Sequence, residues 1–225
     1  MARTSPMTEK KHHGISLIIV DMKSPGVTVR PLLNYYGNHH FNEVFFDDVE
    51  VPVVNLVGTE NKGWYHVMEA LVYERRSLAP TFYGVCKKGV EDLVEYVKET
   101  EFDGKPLSQN VTVRNKLANL AVDLESLRLF AFQITWLLSQ GGMPIYEASR
   151  NKIMTDKVLE QIGVTGAEIL GAYSQVAPDS ELLSKINGNI QQWYIGFPGA
   201  QIAAGTAEIE KSVIAQFKLG LPKSY

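Results

Sequence analysis

The chain has 225 residues, 45% hydrophobic and 21% charged, with a formal net charge of −3. That balance belongs to a globular chain and excludes the basic surface that nucleic acid or an anionic membrane would require. A single cysteine, Cys86, excludes an internal disulfide and fits a reducing compartment.

The opening stretch, MARTSPMTEKKHHG, has no apolar core of signal-peptide length, and no run approaches the ~18 apolar residues of a membrane span. The expectation is therefore a cytoplasmic protein without a membrane span. Residues 15–22 (ISLIIVDM), 27–33 (VTVRPLL) and 41–51 (FNEVFFDDVEV) read as strands, the first two linked by the turn KSPG at 23–26. Three strands make a poor domain alone, so the sheet is expected to be incomplete or to borrow an edge.

Beyond residue 60 the texture becomes helical. The spacing predicts a helix over 61–100 with a possible kink at Pro80, and a break at GKPL (104–107). A second helix follows over 108–140, stopped by Gly141-Gly142, and a third opens at Pro144 and runs to about 170. Residues 180–200, with Gly188, Gly196 and Pro198, read as a looser segment. A final helix is expected from Thr206 to LGLP (219–222). Long helices with short breaks predict an antiparallel four-helix bundle after a partial antiparallel β-domain, an α+β and mostly α class.

On the first helix Trp64, Val67, Leu71, Leu78 and Phe82 form one stripe, and Glu74 falls on it, three residues after Leu71 and four before Leu78. A carboxylate facing a core needs a partner, a proton or a cavity. Desolvation would raise its pKa, which suits a general base. The pattern alone favours the plainer alternative, an ion pair with a cation of another helix. Arg75 stands about 100° further round, where its stem would pack on the helix with a wet head.

Weaker signals receive plainer readings. Gly205-Thr206 before a helix is usually a plain cap, although its free N–H groups could hold a phosphate. Glu208 suits the helix dipole. The pairs His12-His13 and His39-His40 have poor ligand spacing, so no metal is expected. Trp64, Trp136 and Trp193 are expected in the core or at an interface.

Three stretches, HHGISLIIVDMKSPGVTVRPL, HFNEVFFDDVEVPVVNLVGTENKGWYHVMEALVYER and IAAGTAEIEKSVIAQFKLGLP, together resemble the acyl-CoA dehydrogenase family. The resemblance runs from about residue 2 to 222, in the family's order and spacing. It implies residues 1–58 as the last part of the middle β-domain and 59–225 as the C-terminal four-helix bundle. The implied chemistry is α,β-desaturation of an acyl-CoA thioester: a glutamate removes the α-proton while the β-hydrogen leaves as hydride to FAD. In many members the base precedes the Gly-Thr of the last helix. That place here is Ala204, whose methyl group takes no proton. In a smaller set the base stands on the first bundle helix, at Glu74, followed by a substrate-site arginine, Arg75. The resemblance thus reverses the preference for an ion pair and makes Glu74 the expected base.

Cofactor contacts carried over by the resemblance are Gly205, Thr206, Glu208, Glu168 and Gly171. Departures stand at Thr100, Asp103 and Val111, where the family commonly shows Arg, Phe and Gln; only Gly104 of that set is kept. A hydroxyl is a poor substitute for a guanidinium facing a pyrophosphate. The implied partners are an acyl-CoA, an electron-transfer flavoprotein or similar acceptor, and further subunits, like or unlike, joined through the bundle. Two rivals remain. One is a non-catalytic subunit that assembles through its bundle and does not hold FAD alone. The other is a nucleic-acid-associated relative, opposed by the net charge.

Overall fold

The structure, a computed structural model, describes residues 1–35, 37–177, 186 and 189–223, without the side chains of residues 72, 73 and 75–77. The chain divides into two compact units, residues 1–74 and 75–225.

In the first unit, β1 (Ala2–Arg3), β2 (Ile15–Ile18) and β5 (Leu56–Val57) form an antiparallel sheet in the order β1-β2-β5, while β3 (Val27–Leu33) and β4 (His39–Phe46) pair separately as a hairpin. The hairpin pairs Val27 with Phe46 and shifts register between Leu32 and Leu33. The β3 span matches the sequence expectation, whereas β2 stops four residues early. The side chains of β4 and of β3 beyond Val27 are exposed, Phe41 and Phe46 among them. Ser16 is the buried tie of this unit: its hydroxyl lies 2.6 Å from that of Thr4 and accepts from the Asn61 amide at 2.7 Å. Tyr65 brings its hydroxyl within 3.2 Å of His13 Nε2 and 3.4 Å of His12 Nε2.

Helix α1 (Gly63–Glu99) runs unbroken through Pro80. After the small hairpin β6 (Glu101–Phe102) and β7 (Lys105–Pro106) come α2 (Val111–Ser139), α3 (Ile145–Leu170), α4 (Asn189–Ile202) and α5 (Ala207–Phe217). Asn110 caps α2, its side-chain oxygen accepting from Thr112 N at 2.9 Å and Val113 N at 3.2 Å. The core of the second unit joins Cys86 and Leu93 of α1, Leu120 and Leu127 of α2, Val158 and Ile162 of α3, and Ile190 of α4. Four helices therefore share one core, which matches the expected bundle, and α5 lies along α3. Each fully buried Leu or Ile contributes about 1.5–3 kcal/mol.

The looser segment expected at 180–200 is corrected: 189–202 is a helix despite Pro198. Packing outweighs local propensity here. Gly163 and Gly166 of α3 let α4 approach so closely that an added Cβ would stand 3.0 Å from Tyr194 backbone and 2.6 Å from Ile190. Trp193 packs on the core, whereas Trp136 is 61% exposed.

Candidate active site

Glu74 holds its register on α1, but it is exposed, whereas Trp64, Val67, Leu71, Leu78 and Phe82 are partly buried. This corrects the expectation of a core-facing carboxylate. Periodicity settles the face on which a residue stands, not whether another element covers that point. Glu74 is the last residue of the first unit. The side chain of Arg75 lies outside the described residues.

At the start of α5, Thr206 takes the N-cap position with φ −69° and ψ 161°, but its hydroxyl does not bond the first-turn backbone. It serves Glu208 instead. The Glu208 carboxyl is held below the usual carboxylate range, first by its own backbone N–H and then by the Thr206 hydroxyl. The helix start is thus supplied with an anion by the chain itself. Gly205 has φ +110°, and an added Cβ would stand 2.1 Å from Glu210 Oε1. That backbone conformation favours glycine, and the Glu210 carboxylate occupies the space a side chain would take.

Glu168 and Gly171 lie at the far end of α3, on an open groove of about 720 Å³ with Ser174, Gln175 and Gln191. Glu168 is paired with Lys116 of α2, and Gly171 closes α3 at φ +55° with its N–H on the Ala167 carbonyl. The α5 turn, by contrast, borders the start of α3, where Ala204 and Glu210 share a cavity with Ala148 to Thr155. From Lys152 to Glu168 the helix rises about 24 Å at ~1.5 Å per residue, so the two sets of candidate contacts cannot meet one compact ring.

These residues fit FAD only in part. The groove has the size of a ligand site, with side-chain amides and a glycine that leaves open space beside it. Among the described residues, the groove's lining contains no cation to meet a pyrophosphate. Asp103 and Gly104 form the turn of the β6–β7 hairpin with φ +51° and +71°, the left-handed pair that such turns need. Val111, the first residue of α2, is 69% exposed.

The sequence reading missed a buried polar cluster. Ser149, Asn151, Lys152 and Thr155 of α3 and Glu210 of α5 line a cavity of about 30 Å³, with Ala204 at its edge. Glu210 is 3% exposed, whereas its neighbour Ile209 is 57% exposed. A signal was present: Glu210 stands three residues after Ala207 and three and four before Val213 and Ile214, on the inner stripe of α5. Cys86 is buried, and burial pushes its thiol up to about 12. Among the described residues, no three His, Cys, Asp or Glu gather where they could hold a metal, and no helix is long and apolar enough to cross a membrane.

A bundle with an N-terminal partial β-unit, Glu74 on its first helix and Gly205-Thr206 before its last defines a class, and comparison with known proteins bears on it directly. The acyl-CoA dehydrogenase C-terminal domain profile matches residues 61–219. The chain belongs to the acyl-CoA dehydrogenase family. An acyl-CoA dehydrogenase of Bacillus subtilis strain 168 is 30% identical over 224 residues, covering 97% of this chain and 55% of the relative. Among solved structures, the Tcur3481-Tcur3483 steroid ACAD superposes with TM-score 0.89 at 27% identity, over 99% of this chain and 56% of that one. The ChsE4-ChsE5 complex of Mycobacterium tuberculosis gives TM-score 0.84 at 27% identity, over 96% and 56%. The chain thus spans about half the length of the curated relatives it matches.

Proposed function

We propose that the chain takes part in flavin-dependent α,β-desaturation of an acyl-CoA thioester, with Glu74 as the base. The observation that supports this most is the family match over 61–219, which spans both family locations of the base, Glu74 and Ala204. Only Glu74 can accept a proton. Its carboxylate takes the α-proton from carbon, becoming the neutral acid. When bound, FAD supplies the two-electron acceptor for the β-hydrogen. Gly205, Thr206 and Glu208 would hold one part of the cofactor, and Glu168 and Gly171 another, while Arg75 would meet the substrate. Glu74 is exposed, and a thioester bound over it would exclude water from the proton transfer.

Residues 1–58 would be the end of a middle β-domain and 59–225 the bundle domain of a cytoplasmic enzyme that passes electrons to an electron-transfer flavoprotein or similar acceptor. Val122, Leu129, Phe132 and Trp136 leave an apolar face of α2 exposed, which supports assembly through the bundle with further subunits.

A second reading, favoured by Thr100, Asp103 and Val111, is a subunit that assembles through its bundle and does not hold FAD alone. One experiment separates the two. The purified protein, alone and with candidate partner subunits, is examined for flavin absorbance and turnover, with Glu74→Gln beside it. The enzyme reading predicts flavin-coloured protein and a ~10²–10⁴-fold loss of turnover in the variant with assembly unchanged. Colourless protein together with full turnover of the Glu74→Gln complex supports the second reading.

A further inference from the structure

Helix α2 is apolar on two sides. Leu120, Leu127, Ala131 and Ile134 are its buried residues. Leu129, nine residues after Leu120, falls about 180° from it at ~100° per residue. Val122 and Trp136 stand seven residues before and seven after Leu129, on the same line. Val122, Leu129, Phe132 and Trp136 are 66%, 54%, 59% and 61% exposed. One apolar stripe on a helix is accounted for by its own core, and a second stripe opposite the first calls for another cover.

The charges along this stretch do not oppose a like surface. Residues 122–136 carry three charged side chains, and each is paired. Asp123 accepts from Lys157 of α3 at 2.9 Å. Glu125 accepts from Arg128 Nε at 2.7 Å and from its Nη2 at 2.6 Å, and the same guanidinium lies 5.3 Å over the Phe132 ring. The stripe therefore offers no net charge for an acidic or basic partner to read, and none to repel a copy of itself. Two rings about three-fifths exposed leave on the order of 100–150 Å² each. With Val122 and Leu129 the stripe comes to roughly 450 Å² per copy, close to the apolar share of the ~800 Å² that each side of a standard interface buries.

The pattern also complements itself. About a two-fold axis through Leu129, Val122 of one copy meets Trp136 of the other, ~10.5 Å along the helix on each side of the axis. A small side chain then faces a large one at both ends, and Leu129 faces its own copy. Antiparallel helices also bring opposite dipole ends side by side.

We propose that α2 packs antiparallel against α2 of a second copy of this chain, on a two-fold axis at Leu129. This rests on the proposed assembly through the bundle and names the subunit that covers this face as a like one.

The test uses the full chain without flavin or substrate. Light scattering after gel filtration should give twice the chain mass or an even multiple of it. Leu129→Glu should weaken self-association by about 30-fold or more, with the far-ultraviolet circular dichroism unchanged. Leu129→Cys should give a covalent dimer on mild oxidation, because helices packed ~8–10 Å apart bring equivalent positions on the axis within disulfide reach. Cys86 is buried and stays out of that reaction. A monomeric protein, an assembly that Leu129→Glu leaves intact, or the absence of a covalent dimer from Leu129→Cys overturns the proposal. Association only with an unlike subunit overturns it as well. Should Leu129→Glu fail to fold, the oxidation of Leu129→Cys decides alone. None of these readouts depends on Glu74 or on flavin, so the proposed chemistry stands or falls separately.

Discussion

Gly205→Ala strikes the α5 turn at two points. The residue sits at φ +110°, and the new methyl group would stand 2.1 Å from Glu210 Oε1. Holding an L side chain in that backbone region costs about 1–3 kcal/mol. Displacing the carboxylate of a residue only 3% exposed adds about 1–3 kcal/mol of overpacking. At ~2–4 °C per kcal/mol for a chain of this size, the melting temperature should fall by roughly 4–24 °C. A double-mutant cycle separates the parts. Glu210→Ala removes the obstructing oxygen, so the double variant keeps the backbone strain and loses the clash, giving a coupling of about 1–3 kcal/mol. Thermal melting of the four proteins by circular dichroism is the assay. A neutral Gly205→Ala, or two effects that add within ~0.5 kcal/mol, would refute the contact.

Gly163→Val should destabilise by about 1–3 kcal/mol through overpacking, because its Cβ would already stand 3.0 Å from the Tyr194 backbone; unchanged urea unfolding would contradict this closeness of α3 and α4. Cys86, buried with its thiol at about 12, should resist alkylation in the folded protein at mildly alkaline pH and react fully in denaturant. Rapid labelling of native protein would show that it is accessible. Thr206→Val removes a hydroxyl that helps hold the Glu208 carboxyl low. Since a lowered carboxyl contributes stability above its usual value of 4.5 and loses it as pH falls, the variant should melt slightly lower at neutral pH. That gap should close in acid, and one that widens there would contradict the assignment.

Much of the architecture was legible because local and global signals agree. The β3 span, the Pro144 start of α3 and the Gly205-Thr206 start of α5 each carry turn or cap chemistry that acts within a few residues. Helix α4 was not legible, because Gly196 and Pro198 argue against a helix locally while its support comes from Gly163 and Gly166, far away in sequence. The same limit explains the two glutamates. Glu74 and Glu210 both stand on apolar stripes of their helices, yet one is exposed and the other is buried. The stripe reports a face. What covers that face is decided by partners that spacing along one helix does not encode. The Thr206 hydroxyl was misjudged for a related reason: a cap signature names a position, and a carboxylate two residues on took the hydrogen bond.

The central claim is that Glu74 removes a carbon-bound α-proton, and that step is measured directly by hydrogen exchange at the substrate. In deuterated buffer, the assembled protein would be incubated with an acyl-CoA thioester analogue that cannot lose its β-hydrogen, and α-deuterium uptake followed by mass spectrometry. Uptake should be catalysed by the unaltered protein and fall about 10²–10⁴-fold in Glu74→Gln. Equal uptake by the two proteins would contradict the assignment.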